Sequence, residues 1–548
     1  MGALISPKRF FSDTAIALSK LDSFFSHSKS LYNSRFAHPH ELQALLDYDF
    51  VNPATRLLLG VNHFDQPLAV RPTNKRRELG NLLVVAPTRM GKGLLATSQL
   101  LTWPHSCMVN DIKGELFRDT AGYRSTLGKV YVIDPTGVGH RFDPTLGKHT
   151  DLELKSIAKS LLFKADEGEG EIFTQRAIRM LTPLFHAARL ENIPLLQYIA
   201  QLINEPLPEV ATRLNSLSPN LATRFLDGKL EETDFQNRFL LSAWGTLTAR
   251  LDALLTDSVV RCFTTSDFTP QELMCGEKPI TVYFRWSESD LLVLSPVIRL
   301  LWTSLIEGLT KTYDSQNGAN CKPVLLLLDE AGRTAIPHLS DHASTVVGRR
   351  IYLWVAIQDL AQLDAAYGKA RARTLRNNME SQIYYRPSDQ ETADFLEHAL
   401  GKKSGFAVSQ TLRQTVEASH GLSEQGIPLM TAQDIRRLRD QDIIGFHRSL
   451  RPFLAKRMDW KEHPVLIERR KIAPPRLMSL PPVPDLEFIG SASATDDRLD
   501  EIVDPDLLGS NKDSIRIESD KPLSAPGLST TRGVIFENKN ALKGDIIG

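Results

Sequence analysis

The chain has 548 residues, too many for one ordinary domain and enough for a large core; 42% hydrophobic and 24% charged residues are the proportions of a globular protein, not of a fibrous or disordered one. Lys plus Arg number 65 and Asp plus Glu number 65, for a formal net charge of zero, so no global basic excess marks a nucleic-acid binder and any such contact has to come from local clusters. Cys107, Cys262, Cys275 and Cys321 lie far apart with no C-x-x-C spacing, which argues against zinc and against a disulfide framework and favours reduced thiols.

The N-terminal segment 1–34 is polar and serine-rich, and MGALISPKRFFSDTAIALSK lacks the compact apolar core of a signal peptide. No stretch reaches the roughly 18 to 20 consecutive apolar residues of a membrane span. The nearest, LLVLSPVIRLLWTSLIEGL at 291–309, carries Arg299 and Glu307 and reads as a buried amphipathic helix. The expectation is a cytoplasmic protein without a span of its own, peripheral at a membrane through its partners.

From residue 35 onward, short apolar runs recur: LLVVA (82–86), CMVND (107–111), VYVID (130–134), ITVYF (280–284), VLLLLD (324–329), YLWVAIQ (352–358) and QIYYR (382–386). Runs of this length, most closing on a polar or charged residue, suit strands buried on both faces of a parallel sheet. Helical segments such as LLATSQLLTW separate most of them, which predicts an α/β domain with crossover helices, laid down in two parts, 35–150 and 263–470. Between those parts, 151–262 shows helical periodicity, as in TQRAIRMLTPLFHAARL (174–190) and FLLSAWGTLTARLDALL (239–255), and predicts an inserted all-α subdomain. From 471 to 548 a proline-rich stretch, APPRLMSLPPVPDL, leads into an acidic segment with few aromatic residues, expected to be disordered.

The loop of Ala86, Pro87, Thr88, Arg89, Met90, Gly91, Lys92, Gly93 and Leu94 sits between a strand and a helix. Backbone N–H groups and the helix dipole converge there, where phosphates bind. It departs twice from G-x-x-x-x-G-K-[ST]: Ala86 stands at the first glycine and Gly93 at the hydroxyl that usually contacts Mg²⁺. Lys92 would reach the β and γ phosphates, and Arg89 either adds charge near the nucleotide or faces outward. VLLLLDE places Asp329 and Glu330 at a strand's carboxyl end, where open α/β sheets bind ligands; Asp329 is the candidate metal residue and Glu330 the group that polarises water. Gln358, one strand later, either senses the γ-phosphate or is a solvated strand end. Arg349 and Arg350 are an arginine finger across a subunit boundary, DNA contacts or salt-bridge partners. For DNA, the sequence offers Lys75, Arg76 and Arg77, then Arg436, Arg437 and Arg439, then Arg448, Arg451, Lys456 and Arg457. Such clusters are most often solvated faces, although a ring of subunits would repeat them around a pore.

APTRMGKG, WPHSCMVNDIKGEL (103–116) with TAGYR, VIDPTGVGHRFDP (132–144), LLLLDEAG, IQDLAQLDAAYG and MTAQDIRRLRDQDIIGFHRSLRPFLAKRMDW (430–460) occur in this order. The series resembles the type IV secretion coupling proteins, the TraG/TraD-type ATPases of conjugation, over roughly residues 35 to 465. The resemblance implies a RecA-like P-loop domain and a homo-hexamer that binds ATP with Mg²⁺. It also implies DNA-stimulated hydrolysis, sequence-independent DNA contact, and partnership with a relaxase and with the ATPases and inner-membrane components of the channel. It makes Lys92 the phosphate lysine, Asp329 and Glu330 the metal and catalytic carboxylates, and Gln358 the sensor. Asp111, Lys113 and Glu115 match a family segment that either supports the nucleotide or simply packs. Typical members begin with a transmembrane segment, whereas 1–34 here is polar, so a separate membrane partner is expected. Two other readings remain at this stage: a coupling ATPase that recruits protein effectors, and a docking scaffold that does not hydrolyse nucleotide.

Overall fold

A computed structural model describes residues 31–145, 147, 150–162, 171–411 and 419–483 of the chain. In chain order the strands are β1 (Leu57–Val61), β2 (Pro67–Val70), β3 (Leu82–Val85), β4 (Ser106–Asp111), β5 (Lys129–Asp134), β6 (Val138–Gly139), β7 (Ile280–Arg285), β8 (Val324–Leu328), β9 (Ile351–Ile357), β10 (Ser381–Tyr385), β11 (Lys402–Thr411), β12 (Ser419–Pro428), β13 (Asp442–His447) and β14 (Phe453–Lys456). Twelve of them form one sheet in the order β2-β1-β14-β13-β10-β3-β9-β8-β4-β7-β5-β6. The run from β10 to β5 is parallel throughout. Its seven strands coincide with the seven apolar runs of the sequence. Antiparallel strands extend it on the β10 side, and β6 closes the other edge. These additions are short or interrupted by Gly and Pro, which weakens the apolar run that marked the central strands.

Because successive side chains of a strand point to opposite faces, each central strand feeds two cores. Leu83, Val85, Met108, Leu326, Leu328, Leu353 and Val355 belong to one; Leu82, Val84, Cys107, Val109, Leu325, Leu327 and Trp354 belong to the other. Leu82 to Val85 are all 2% exposed or less. At about 1.5–3 kcal/mol per fully buried aliphatic side chain, this strand holds the loop that follows it on a stiff base.

Between β6 and β7 the described residues form helices and no strand. Thr150 caps Asp151–Leu161 with a reciprocal Thr150/Glu153 box, and Pro194, Pro206 and Pro219 sit at the starts of the three helices that follow Glu171–Leu190. Each start matches the fixed backbone of proline, which lacks only an amide the first turn does not use. Leu181, Phe185, Phe225 and Trp244 join the same core as the sheet face that carries Leu83 and Val85. The helical region is therefore packed on the sheet. Helix Leu291–Ser315 passes the length and apolarity of a membrane span, but 67% of its apolar window is buried. Among the described residues no other helix is long and apolar enough to cross a membrane.

The proline-rich stretch after 471 departs from the expectation of disorder as far as the described residues reach. Gly139 N donates to Met478 O at 2.8 Å, Leu480 N donates to Gly137 O at 2.8 Å, and Ser479 pairs with Val138. The sheet edge lacks side chains at these glycines, and a Cβ at Gly122 would fall 1.8 Å from Ile472 O. Backbone contact, not apolar periodicity, fixes the segment. The rest of the expected tail, from 484, and residues 1–30 of the polar N-terminal segment lie outside the described residues.

Candidate functional site

β3 ends on Val85, and Ala86 N is tied to Ile357 O of the neighbouring β9 at 2.9 Å. The chain then turns out through Thr88 and Arg89, both exposed, returns through buried Met90, and enters helix Lys92–Thr102. Two residues make the turn possible by taking left-handed backbone angles, Arg89 (φ 66°) and Gly91 (φ 99°). Ala86 is not among the positive-φ residues, so the missing glycine at that place costs no backbone strain. Gly91 offers no capping side chain to the first turn, which leaves amides of that turn available to an anion. Gly93 is exposed, and a Cβ there would meet nothing within 4 Å.

Lys92 points across the carboxyl edge of the sheet to the end of β8. Its Nζ lies 2.7 Å from Glu330 Oε1 and 3.1 Å from Asp329 Oδ1, with only 12% of the side chain exposed. Glu330 faces the lysine because it takes φ 56°, a left-handed conformation worth of order 1 kcal/mol of strain for a residue with a Cβ. Ala331 N to Ala356 O and Arg333 N to Glu330 O, both 2.9 Å, lock that turn. Gln358, one residue beyond β9, donates from Nε2 to Glu330 Oε2 at 3.1 Å. Lys92, Asp329, Glu330 and Gln358, read separately from the sequence, thus share one cluster of ion pairs and hydrogen bonds.

Burial opposes the charge on each member, and the outcome differs. The lysine's ammonium is destabilised by burial, but the two carboxylates outweigh this and its pKa is raised. Burial pushes the Asp329 carboxyl up despite Lys92. Glu330 is also penalised by burial, yet the charge and hydrogen bond of Lys92 and the bond from Gln358 hold it below the usual carboxylate range. Asp329 Oδ1 makes no hydrogen bond despite its place beside the lysine.

Around this cluster lies support, of which strand-end logic applied to every strand would have found Asn110 and Arg386. Asn110, next to last in β4, donates to Asp329 O at 2.8 Å and accepts from Trp286 Nε1 at 2.9 Å. Arg386, which closes β10 beside the loop, reaches Met90 Sδ at 3.9 Å and pairs with Asp440 at 2.8 Å. Arg457 donates to Met90 O at 3.0 Å, which turns a residue grouped with possible DNA contacts into a clamp on the loop. Asp111 accepts from Leu116 N (3.3 Å) and Phe117 N (2.7 Å) and anchors helix Glu115–Leu127, and burial raises its pKa to about 6. Lys113 is exposed and near enough to lower both Asp329 and Glu330, whereas Glu115 is exposed in the first turn of the helix.

Arg349 is not brought to this cluster. It precedes β9, and its guanidinium holds Asp314 through two bonds of 2.8 and 3.0 Å. Gln358 follows the other end of the same seven-residue strand, about 23 Å away at 3.3 Å per residue. Arg350 donates to Cys321 O at the same amino edge. Neither arginine can serve the Lys92 site of its own subunit.

Comparisons with known proteins bear on the family and the fold. A profile of the family described as Type IV secretory system Conjugative DNA transfer matches residues 61–473. The chain is 28% identical over 405 residues to Protein VirD4 of Rhizobium radiobacter, covering 69% of this chain and 56% of that protein. It is 26% identical over 368 residues to Conjugal transfer protein TraG of Escherichia coli, covering 59% and 55%; the chain thus spans a little over half the length of these relatives. Among solved structures, the bacterial conjugative coupling protein TrwBdeltaN70 aligns with TM-score 0.60 at 16% identity, over 79% of this chain and 95% of that one. TrwB in complex with ADP and Mg²⁺ aligns with TM-score 0.56. The sheet and its helices are the TrwB-like, RecA-like P-loop fold, and the profile match over most of the chain places it in the type IV secretory system conjugative DNA transfer family.

Proposed function

We propose that this chain is an ATP-hydrolysing coupling protein that receives a relaxase–DNA complex and drives DNA towards a type IV secretion channel. In this reading it works as a homo-hexamer at the inner membrane, beside the channel's own ATPases. The observation that carries the reading is the Lys92–Asp329–Glu330–Gln358 cluster at the mouth of the phosphate loop. TrwB has been solved with ADP and Mg²⁺ and with a non-hydrolysable ATP analogue, which supports ATP as the ligand.

The residues present fit Mg²⁺. Asp329 offers a carboxylate oxygen without a hydrogen bond, and a hard cation of this kind is usually held by one or two carboxylates together with substrate phosphates. Among the described residues there is no cage of three or more ligating side chains, in keeping with that mode. When bound, Mg²⁺ would neutralise charge on the β and γ oxygens.

The protein's own groups suggest how turnover is gated. Without phosphate, Lys92 spends its charge on Glu330 and keeps that carboxylate a weak base. An incoming γ-phosphate competes for Lys92 Nζ. As the lysine turns to it, Glu330 loses the partner that lowered its pKa and becomes more basic at the moment a water must be polarised. Gln358 remains as the donor that orients Glu330 or the water.

Phosphate release by the purified chain, with and without single-stranded DNA, tests the proposal. Turnover that rises on addition of DNA is expected. Turnover no faster than that of Lys92→Ala would instead support a docking scaffold, and ATP turnover indifferent to DNA would favour a coupling ATPase for protein effectors.

A further inference from the structure

The basic clusters picked out by sequence spacing are largely engaged once the chain is folded. Arg76 and Arg448 share Glu380, Arg439 grips Asp442, Lys456 pairs with Asp65, and Arg457 clamps the phosphate loop. One basic stretch outside those clusters is different. Helix Lys369–Asn377, KARARTLRN, holds four cations in eight residues, with no acidic residue between Asp364 and Glu380. Ala372 and Leu375 are buried and seat the helix, while Lys369, Arg371 and Arg373 are exposed. Among the described residues these three side chains have no ion pair or hydrogen bond. Arg376 lies over Phe395, its guanidinium carbon 4.3 Å from the ring centroid.

The helix is also connected to the nucleotide site. Gln358 N donates to Gln362 Oε1 at 3.2 Å, and Asp359 caps helix Leu360–Tyr367 through Gln362 N at 2.8 Å. Gly332, two residues past Glu330, lies so close that a Cβ there would meet Gln362 Cβ at 2.8 Å. Helix Leu360–Tyr367 therefore rests on the turns that carry both Gln358 and Glu330. Gly368, at φ 77° and in open space, is the single joint between it and the basic helix.

We propose that the face carrying Lys369, Arg371 and Arg373 contacts the phosphodiester backbone of nucleic acid, and that displacement of this face is passed through helix Leu360–Tyr367 to Gln358 and Glu330. The proposal rests on the nucleic-acid motor reading above and assigns its contact surface. The chemistry favours a polyanion of phosphates: arginine forks match phosphate oxygens, and unpaired cations lose no internal partner on binding. A membrane surface fits less well, because no large apolar side chain is exposed between residues 360 and 380, whereas interfacial helices carry such residues beside their cations. With no group here arranged to read base edges, contact is independent of sequence.

The test is anisotropy of a labelled oligo(dT) across a salt series, with the wild-type chain, Arg371→Ala/Arg373→Ala and Arg371→Lys/Arg373→Lys. Nucleotide affinity and DNA-free turnover serve as controls for folding. The alanine pair is expected to lose at least about tenfold in affinity, to flatten the log–log salt slope by about 1.4, as for two lost single-strand phosphate contacts, and to lose the DNA-stimulated part of turnover. DNA-free turnover and nucleotide affinity should not change, and the lysine pair should keep most of the slope. An alanine pair that binds oligo(dT) like the wild type overturns this surface alone. So does a deficit seen only with an acidic peptide such as residues 484–520 of this chain. A wild-type chain that binds no DNA overturns the motor reading beneath it.

Discussion

At the amino ends of the parallel strands, the arginines have internal partners. Arg124, 1% exposed, donates to the carbonyls of Trp103 and His105 and to Thr281 Oγ1; Arg349 is forked on Asp314, and Arg448 and Arg76 close on Glu380. At the carboxyl ends of the same strands one buried lysine faces two carboxylates, Glu330 sits in a left-handed conformation, and Asp329 keeps an oxygen without a hydrogen bond. Both edges belong to one rigid sheet, so packing does not explain the difference. The amino edge uses its polar groups to close the fold, whereas the carboxyl edge leaves an imbalance that a phosphate and a cation would complete.

The largest effect should come from removing the lysine. Lys92→Ala leaves two neighbouring carboxylates without their cation, a change worth about 3–5 kcal/mol for a buried pair. ATP affinity by calorimetry should fall at least about a hundredfold, and affinity within threefold of wild type would contradict the assigned role. Next comes Asp111. Its pKa is raised from 3.8 to about 6 in the folded chain, so folding favours its protonated form. That stabilisation is complete below about pH 4 and is lost as pH rises through 6, by about 3 kcal/mol at most. Asp111→Asn should flatten this part of the stability–pH curve measured by urea unfolding, and an unchanged slope would show that another group is responsible. A smaller, few-fold effect is expected at Gly93, where a side chain has room. If the absent hydroxyl weakens metal binding, Gly93→Ser should saturate with Mg²⁺ at lower concentration, and an unchanged requirement would count against that account. The smallest effect is assigned to the amino edge. Arg349→Ala should cost under about 1 kcal/mol of stability, as for a half-exposed pair, without altering nucleotide affinity. A large loss of turnover only in the assembled oligomer would show that Arg349 leaves Asp314 to serve a neighbouring subunit.

Much of the central architecture was legible because its signal is local. Seven apolar runs became the parallel strands, and the polar residues that close them mark the edge where the site lies. Asp329, Glu330 and Gln358 were picked out by this strand-end position and Lys92 by its loop, and the fold brings the four together. What escaped was set by contacts distant in sequence. Arg457 reaches Met90 across 367 positions, and no spacing rule joins them. The antiparallel extension lacks long apolar runs, and residues 478–480 are held at the sheet edge by backbone bonds to Gly137 and Gly139. Basic spacing also misled in its own way: clusters cannot be ranked as contact surfaces until it is known which cations are consumed by internal partners, as Arg448 is by Glu380 and Lys369 is not.

The central claim is that Glu330 is held ready by Lys92 and polarises water when ATP takes the lysine away. Glu330→Gln tests it most directly, because the amide can keep an oxygen towards Lys92 and still cannot accept a proton. Single-turnover phosphate release beside ATP affinity should show a drop of about 10²–10⁴-fold in the chemical step, with affinity at or above that of the wild type. Phosphate release at the wild-type rate would contradict the account.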